Sequence, residues 1–403
     1  MKRLHLVSWL AAALVVAACG SSGGGASNTN SYSGKTIKLG AILSITGAGG
    51  VYGPQSRDGA NLAVKQINGS GGVNGAMIDL TVEDDTSDQA TSLAKAQRLI
   101  SQNNVLAFLG PSLSNSAIAV HPLAETLRTP VLAVSTTGSH IVPDCNWLAA
   151  NPNATPCKYV FRDSLGEETA ISDNIKSYAA DAHPKSGVLL VPKNDKVSSE
   201  RGQIVQNTFG QYNIQLKIIE FSKNDADLSP YVTQAVQLKP DVIFIMSLDN
   251  IPARIMSGAR NLGWQGQFLG DNGFNTAKAS AQAGAAGNRA RSASAWFIGN
   301  DFPSNRDFVT AYKYEYNKDP DQFAAQGYTG IRILADAAKR ANLTFTDLRS
   351  DRDKLRSAME TVNLQTPLGP FQFTSNHDVK QTVWIVQMDG AGGFRLVHEI
   401  KPS

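Results

Sequence analysis

Residues 37–85, IKLGAILSITGAGGVYGPQSRDGANLAVKQINGSGGVNGAMIDLTVEDD, set out in order a strand, a glycine loop, a helix, a glycine turn and a second strand. Ile37, Leu39, Ala41, Ile42 and Leu43 form a nearly continuous apolar run, the pattern of a strand covered on both faces in a parallel sheet. From Gly59 onward Leu62, Ala63, Gln66 and Ile67 recur at three- and four-residue spacing, which predicts a helix with one stripe against that sheet, stopped by Asn68 and Gly69. The next strand is expected over Met77 to Val82. The stretch is a βαβ unit.

The same alternation runs outward from it. A helix is expected over 88–102, a strand over 105–109, a helix over 115–127 and a strand over 131–134, which makes a doubly wound α/β domain. After an irregular stretch a second alternating set begins. Its helices fall around 170–182, 201–212, 231–238 and 251–262, and its strands at 187–191, 216–221, 241–246 and 268–269. Three more helices are expected over 304–316, 322–340 and 351–362. About 370 ordered residues suffice for two domains, each with its own core.

The opening stretch resembles the start of the periplasmic Leu/Ile/Val-binding proteins, the type I solute-binding components of amino-acid ABC transporters. The matching pieces are the strand IKLGAIL, the loop TGAGGVYG, the helix ending INGSGGVNG and the acidic run VEDD. Further on, GPSLSNSAIAVHPLAE, TPVLAVS, YVFRDS, YEYNKDP and AAQGYTGIRILADAA follow in the same order, so the likeness covers nearly all of the chain after its leader. It implies a type I periplasmic-binding-protein fold, with two doubly wound α/β lobes joined by a hinge of three crossings. The lobes are expected at 35–158 plus 299–366 and at 159–298 plus 367–403. It also implies a binding protein that is not an enzyme and needs no cofactor.

At the N-terminus Lys2 and Arg3 precede an apolar core from Leu6 to Val16, and Ala17 and Ala18 lead into Cys19. This is the pattern of a signal peptide over 1–18, too short to span a membrane. VAAC followed by GSSGGG looks like a bacterial lipobox, with Cys19 lipidated as the mature first residue; an ordinary signal with a chance cysteine is the alternative. The Gly, Ser and Asn residues of 20–34 would form a flexible tether to the outer face of the membrane. The other cysteines, Cys145 and Cys157, sit in a Pro- and Asn-rich loop, where an extracytoplasmic compartment favours a disulfide over two free thiols. Over the whole chain 37 Lys and Arg face 34 Asp and Glu. Loss of Lys2 and Arg3 with the leader brings the net charge to about +1 and leaves no nucleic-acid footprint.

Competing chemistries fit poorly. In GAGGVYG the third glycine of a dinucleotide fingerprint arrives one residue late, and Tyr52 stands in its place. Ser92 to Lys95 forms S-x-x-K and Ser172 to Asn174 forms S-D-N, but no K-T-G follows and Ser92 falls mid-helix. The histidines are scattered, so no metal site is argued.

What remains is polar residues at strand ends, where open parallel sheets bind ligands. Ser114 and Asn115 follow the strand 105–109 at a helix start, whose free N–H groups and dipole favour a carboxylate. By resemblance Ser114 matches a family serine that holds the ligand carboxylate; it could equally serve as the N-cap. Thr136, Thr137, Gly138 and Ser139 follow the next strand, with Gly138 and Ser139 where the family has an Ala-Thr pair. Tyr52 matches a cleft tyrosine. Asp271 stands near the family's acid for the ligand ammonium, and a one-residue shift would put Asn272 there; an Asx turn is the alternative for Asp271. Val197, Ser198 and Ser199 replace a Tyr-Gly of the family. The expected ligand is a small carboxylate, an amino acid of the branched-chain type, carried by a monomer to an ABC permease. A sensor or amide-binding protein on the same scaffold is the alternative.

Overall fold

A computed structural model describes residues 31–139, 141, 142, 157–193, 195–248 and 250–402. Cys19, with the leader and most of the tether, and Cys145 lie outside the described residues. In the first lobe β1 (Thr36–Leu43), α1 (Gly53–Gly69), β2 (Met77–Asp84), α2 (Gln89–Ser101), β3 (Ala107–Leu109), α3 (Ser114–Thr126), β4 (Val131–Ala133) and β5 (Val160–Arg162) follow one another. Their five strands pair in parallel in the order β2-β1-β3-β4-β5. The apolar run in β1 follows from burial on both faces. Leu39, Ala41 and Leu43 join one core cluster, while Ile42 joins another with Leu99 of α2 and Phe108 of β3.

The second lobe holds α4 (Glu167–Ala182), β6 (Ser186–Pro192), α5 (Lys196–Gln211), β7 (Gln215–Phe221), α6 (Ser229–Gln237), β8 (Val242–Ile245), α7 (Ile251–Asn261), β9 (Gln267–Gly270), α8 (Ala277–Ala283) and β10 (Arg291–Ser294). The chain then supplies α9 (Pro303–Tyr316), α10 (Gln322–Arg340) and α11 (Leu348–Met359) to the first lobe, followed by the hairpin β11 (Asn363–Thr366) and β12 (Gly369–Gln372). It closes with β13 (Val383–Met388) and β14 (Phe394–Ile400), which extend the second sheet to seven strands in the order β14-β13-β10-β9-β8-β6-β7. Both late strands run antiparallel to their neighbours, so a parallel sheet carries an antiparallel edge.

The expected lobe boundaries need correction. β5 pairs with β4 of the first sheet, so the first crossing follows Arg162 instead of preceding 159. Trp296, Leu368 and Phe371 are buried in the first lobe's core, which moves the second crossing ahead of Trp296 and the third beyond β12. Nor is 19–34 all tether: Tyr32 is buried, its hydroxyl donating to the Ala338 carbonyl and accepting from the Leu343 N–H. At the crossings Arg162 forks onto Asp378, at 2.6 and 2.5 Å, and its Nη1 donates to the Gly138 carbonyl at 2.8 Å.

Helix α1 starts six residues before Gly59, with Pro54 in its first turn, where a missing N–H costs nothing. Gly59 is a packing residue. A Cβ there would stand 2.0 Å from the Ala324 carbonyl oxygen, and one at Gly327 of α10 would stand 2.1 Å from that of Ser56. Two glycines thus let the backbones of α1 and α10 touch.

Candidate functional site

The carboxyl ends of the strands in the two sheets bound a cavity of 310 Å³ between the lobes, the place where ligands bind in open α/β sheets. Of the expected residues Tyr52, Ser114, Asn115, Thr137, Asp271 and Asn272 line it. Thr136, Gly138 and Ser139 do not. The Thr136 hydroxyl is turned away to the Pro111 carbonyl, the Gly138 N–H donates to Ser114 Oγ and the Ser139 N–H to Glu200 Oε1.

The N-cap of α3 is Leu113, in extended conformation, and no side chain caps the helix. Ser114 is therefore the first helical residue and not the cap. Its Oγ, 3.1 Å from the Gly138 nitrogen, accepts there and keeps its proton for another partner. Together with the uncapped first-turn N–H groups it presents to the cavity the kind of donors that an anion would need. Ser135, another lining residue, holds φ at +70°, an uncommon conformation for a serine, with its hydroxyl on the Ser112 carbonyl. Tyr52 is buried with its ring against Phe323, at 4.5 Å between centroids. Leu113 and Leu248 pack on the same cluster and extend an apolar wall across both lobes.

In the second lobe Arg201 of α5 meets two carboxylates. Its Nη1 lies 3.4 Å from Asp271 Oδ2 and its Nε 3.4 Å from Glu167 Oε1, and Nη2 donates to Thr137 Oγ1 of the other lobe at 2.8 Å. Both acids are buried. Burial, partly offset by Arg201 and reinforced by Glu167, pushes the Asp271 carboxyl up to about 7. Burial also raises Glu167. Burial pulls Arg201 down, but the two carboxylates outweigh it and raise its pKa. Asp271 does form the Asx turn, its Oδ1 accepting from the Gly273 N–H at 2.9 Å, while Oδ2 faces Arg201. The Asx turn given as the alternative for this aspartate is thus formed, and it leaves Oδ2 on the cavity side.

Arg201 and Glu167 went unread in the sequence. Asp195 caps α5 by accepting from the Ser198 N–H, so the helix expected around 201–212 begins already at Lys196. Val197, Ser198 and Arg201 then share the cavity-facing side. The D-x-x-S spacing at 195–198 was the available signal. The S-x-x-K and S-D-N motifs are in separate lobes with structural contacts: Ser92 donates to Asp85, Lys95 pairs with Glu83, and Asn174 donates to the Gly270 carbonyl.

The family model described as periplasmic binding protein matches residues 36–393. The chain is 22% identical over 347 residues to a leucine-, isoleucine-, valine-, threonine- and alanine-binding protein of Pseudomonas aeruginosa, covering 86% of this chain and 87% of that one. The branched-chain amino acid transporter substrate-binding protein LivJ of Streptococcus pneumoniae, solved with isoleucine, superposes with a TM-score of 0.80 at 23% identity, over 91% of this chain and all of that one. An ABC-transporter solute-binding protein of R. palustris, solved with benzoate, gives a TM-score of 0.79 at 20% identity, over 91% and 97% of the two chains. Two lobes, a cavity at opposed strand ends and a family match across nearly the whole folded chain agree: the chain belongs to the periplasmic binding protein family.

Proposed function

We propose that the protein is an extracytoplasmic solute-binding lipoprotein of an ABC importer, which holds a small carboxylate between its lobes and presents the closed form to the permease. The observation that carries this reading is the uncapped start of α3, where Ser114 and free N–H groups face a cavity whose far wall ends in the buried acid Asp271. An α-amino acid answers both: its carboxylate meets the helix start and its ammonium meets Asp271. The apolar wall of Tyr52, Leu113 and Leu248 suits a branched side chain.

One observation favours a second reading. Asp271 already faces Arg201, so an organic acid without an ammonium could draw on Arg201 instead. Calorimetry with leucine, isoleucine and benzoate on the wild type and Asp271→Ala separates the two. If the ligand is an amino acid, the substitution strands its ammonium and costs about 3 to 5 kcal/mol. An undiminished affinity in Asp271→Ala removes the amino-acid reading.

Lipidation of Cys19 and a bond from Cys145 to the buried Cys157 complete the proposal. Cys19→Ala should release the protein from cells, with a changed N-terminal mass. Thiol labelling of the unreduced protein should find no free pair. Labelling of both cysteines removes the bond.

A further inference from the structure

We propose a second binding site, for a phosphate-class oxyanion, at the outer end of the second lobe. It is independent of the cleft. An 850 Å³ recess lies at the amino ends of β6, β8, β9 and β10, opposite the strand ends that bound the cleft. Five cations line it, Lys185, Lys239, Arg260, Arg289 and Arg291, against two carboxylates, Asp181 and Asp241, with His183 alongside.

Both carboxylates are committed elsewhere. Asp241 accepts from the N–H groups of Lys185 and Ser186, at 2.7 and 3.0 Å, and from the Ser186 hydroxyl. Asp181 is shared between Arg291, at 2.7 Å, and His398, at 3.0 Å. Among the described residues Lys185, Lys239, Arg260 and Arg289 have no carboxylate within ion-pair distance.

Arg260 is the built part of the site. One of its terminal nitrogens donates to the Trp264 and Gly266 carbonyls, and the guanidinium lies 5.1 and 4.5 Å from the ring centroids of Trp264 and Phe268. That fixes the plane of the fork and leaves its remaining N–H groups for another acceptor. Burial, and then the neighbouring Arg289, depress its pKa. Forked guanidiniums beside two lysines suit an oxyanion of two or more charges better than chloride. Soluble phosphate and an anionic lipid headgroup share that chemistry.

The test uses the full chain. Its melting temperature is followed with pyrophosphate against sodium chloride at equal ionic strength, and its sedimentation with phosphatidylglycerol vesicles against phosphatidylcholine vesicles. The variant Lys239→Gln with Arg289→Gln changes two exposed side chains. A second variant, Arg260→Gln, tests the fixed fork.

We expect pyrophosphate to raise the wild-type melting temperature beyond the chloride effect, with affinity about 10-fold or more weaker in the double variant. Vesicle binding that falls in parallel assigns the site to a lipid headgroup. A pyrophosphate shift without vesicle binding assigns it to a soluble anion. Equal shifts with pyrophosphate and chloride, or a double variant that responds like the wild type to both pyrophosphate and vesicles, overturns the proposal even if Arg260→Gln fails to fold.

Discussion

Asp271, Arg201 and Glu167 put one guanidinium between two buried carboxylates, and the resting charge of the cleft depends on which acid holds a proton. Because Asp271 titrates at about 7, binding should depend on pH near neutrality, and the sign identifies the ligand class. An ammonium needs the ionised carboxylate, so an amino acid should bind more tightly as pH rises through 7. A carboxylate without an ammonium prefers neutral Asp271 and should bind more weakly over the same range. Calorimetry across pH 6 to 8 reads this, and Asp271→Asn should flatten the curve; a slope that survives in Asp271→Asn assigns the titration elsewhere. Stability carries its own sign. The folded Asp271 keeps its proton between its ordinary value near 3.8 and about 7, so its contribution favours folding below that window and is lost as pH rises through it. Ser114→Ala should act differently from either. It removes one hydrogen bond to a charged group, about 1.5 to 3 kcal/mol, while the helix N–H groups remain, so affinity should fall roughly 10- to 150-fold without a new pH dependence.

Between helices, α1 and α10 meet at Gly59 and Gly327, and each glycine faces a carbonyl of the other helix. Gly59→Ala must push the backbones apart or distort them, since the obstruction is a main-chain oxygen and not the end of a flexible side chain. Overpacking of this kind costs about 1 to 3 kcal/mol, and denaturant titration should show a lower midpoint with an unchanged slope. Gly69→Ala in the same helix meets nothing within 4 Å and serves as the control. Gly59 also shows why element boundaries are harder to read than elements. The apolar stripe that follows it marks the helix, but Gly53 to Asp58 carries a proline and few apolar residues, so periodicity is silent there. The parallel strands were legible because burial on both faces leaves continuous apolar runs. Strand β14, with only Phe394, Val397 and Ile400 partly buried, carries no such run, and the β11–β12 hairpin is too short for one. Ser114 and Asp271 could be picked out as polar residues directly after strands. Arg201 could not, because a charge within a helix ordinarily reads as a solvated face.

Across the molecule, three side-chain hydrogen bonds that bridge the lobes beside the cavity involve the start of α5, and a further one runs from Gln322 of α10 to Asn272. Asn115 Nδ2 donates to Asp195, Arg201 to Thr137, and the Ser139 N–H to Glu200. Two of them involve cavity-lining groups at both ends; Glu200 does not line the cavity. Glu200 therefore separates closure from ligand contact. Glu200→Ala removes from the bridged state a charged acceptor worth about 1.5 to 3 kcal/mol. The ratio of closed to open molecules should fall roughly 10- to 150-fold, and the apparent affinity falls with it up to the same factor wherever the closed state is the minor one. Glu200→Gln keeps an acceptor oxygen at the Ser139 N–H and should recover part of the loss. Small-angle scattering with and without the ligand found by calorimetry should show the alanine variant more extended at subsaturating ligand and equally compact at saturation. Ser114→Ala should also bind weakly, but its unliganded scattering should match the wild type, because it loosens the ligand and leaves the bridges in place. Unchanged affinity and unchanged scattering in Glu200→Ala would mean that the bridge at Ser139 does not bias closure, and that the contacts made by Arg201 and Asn115 govern it instead.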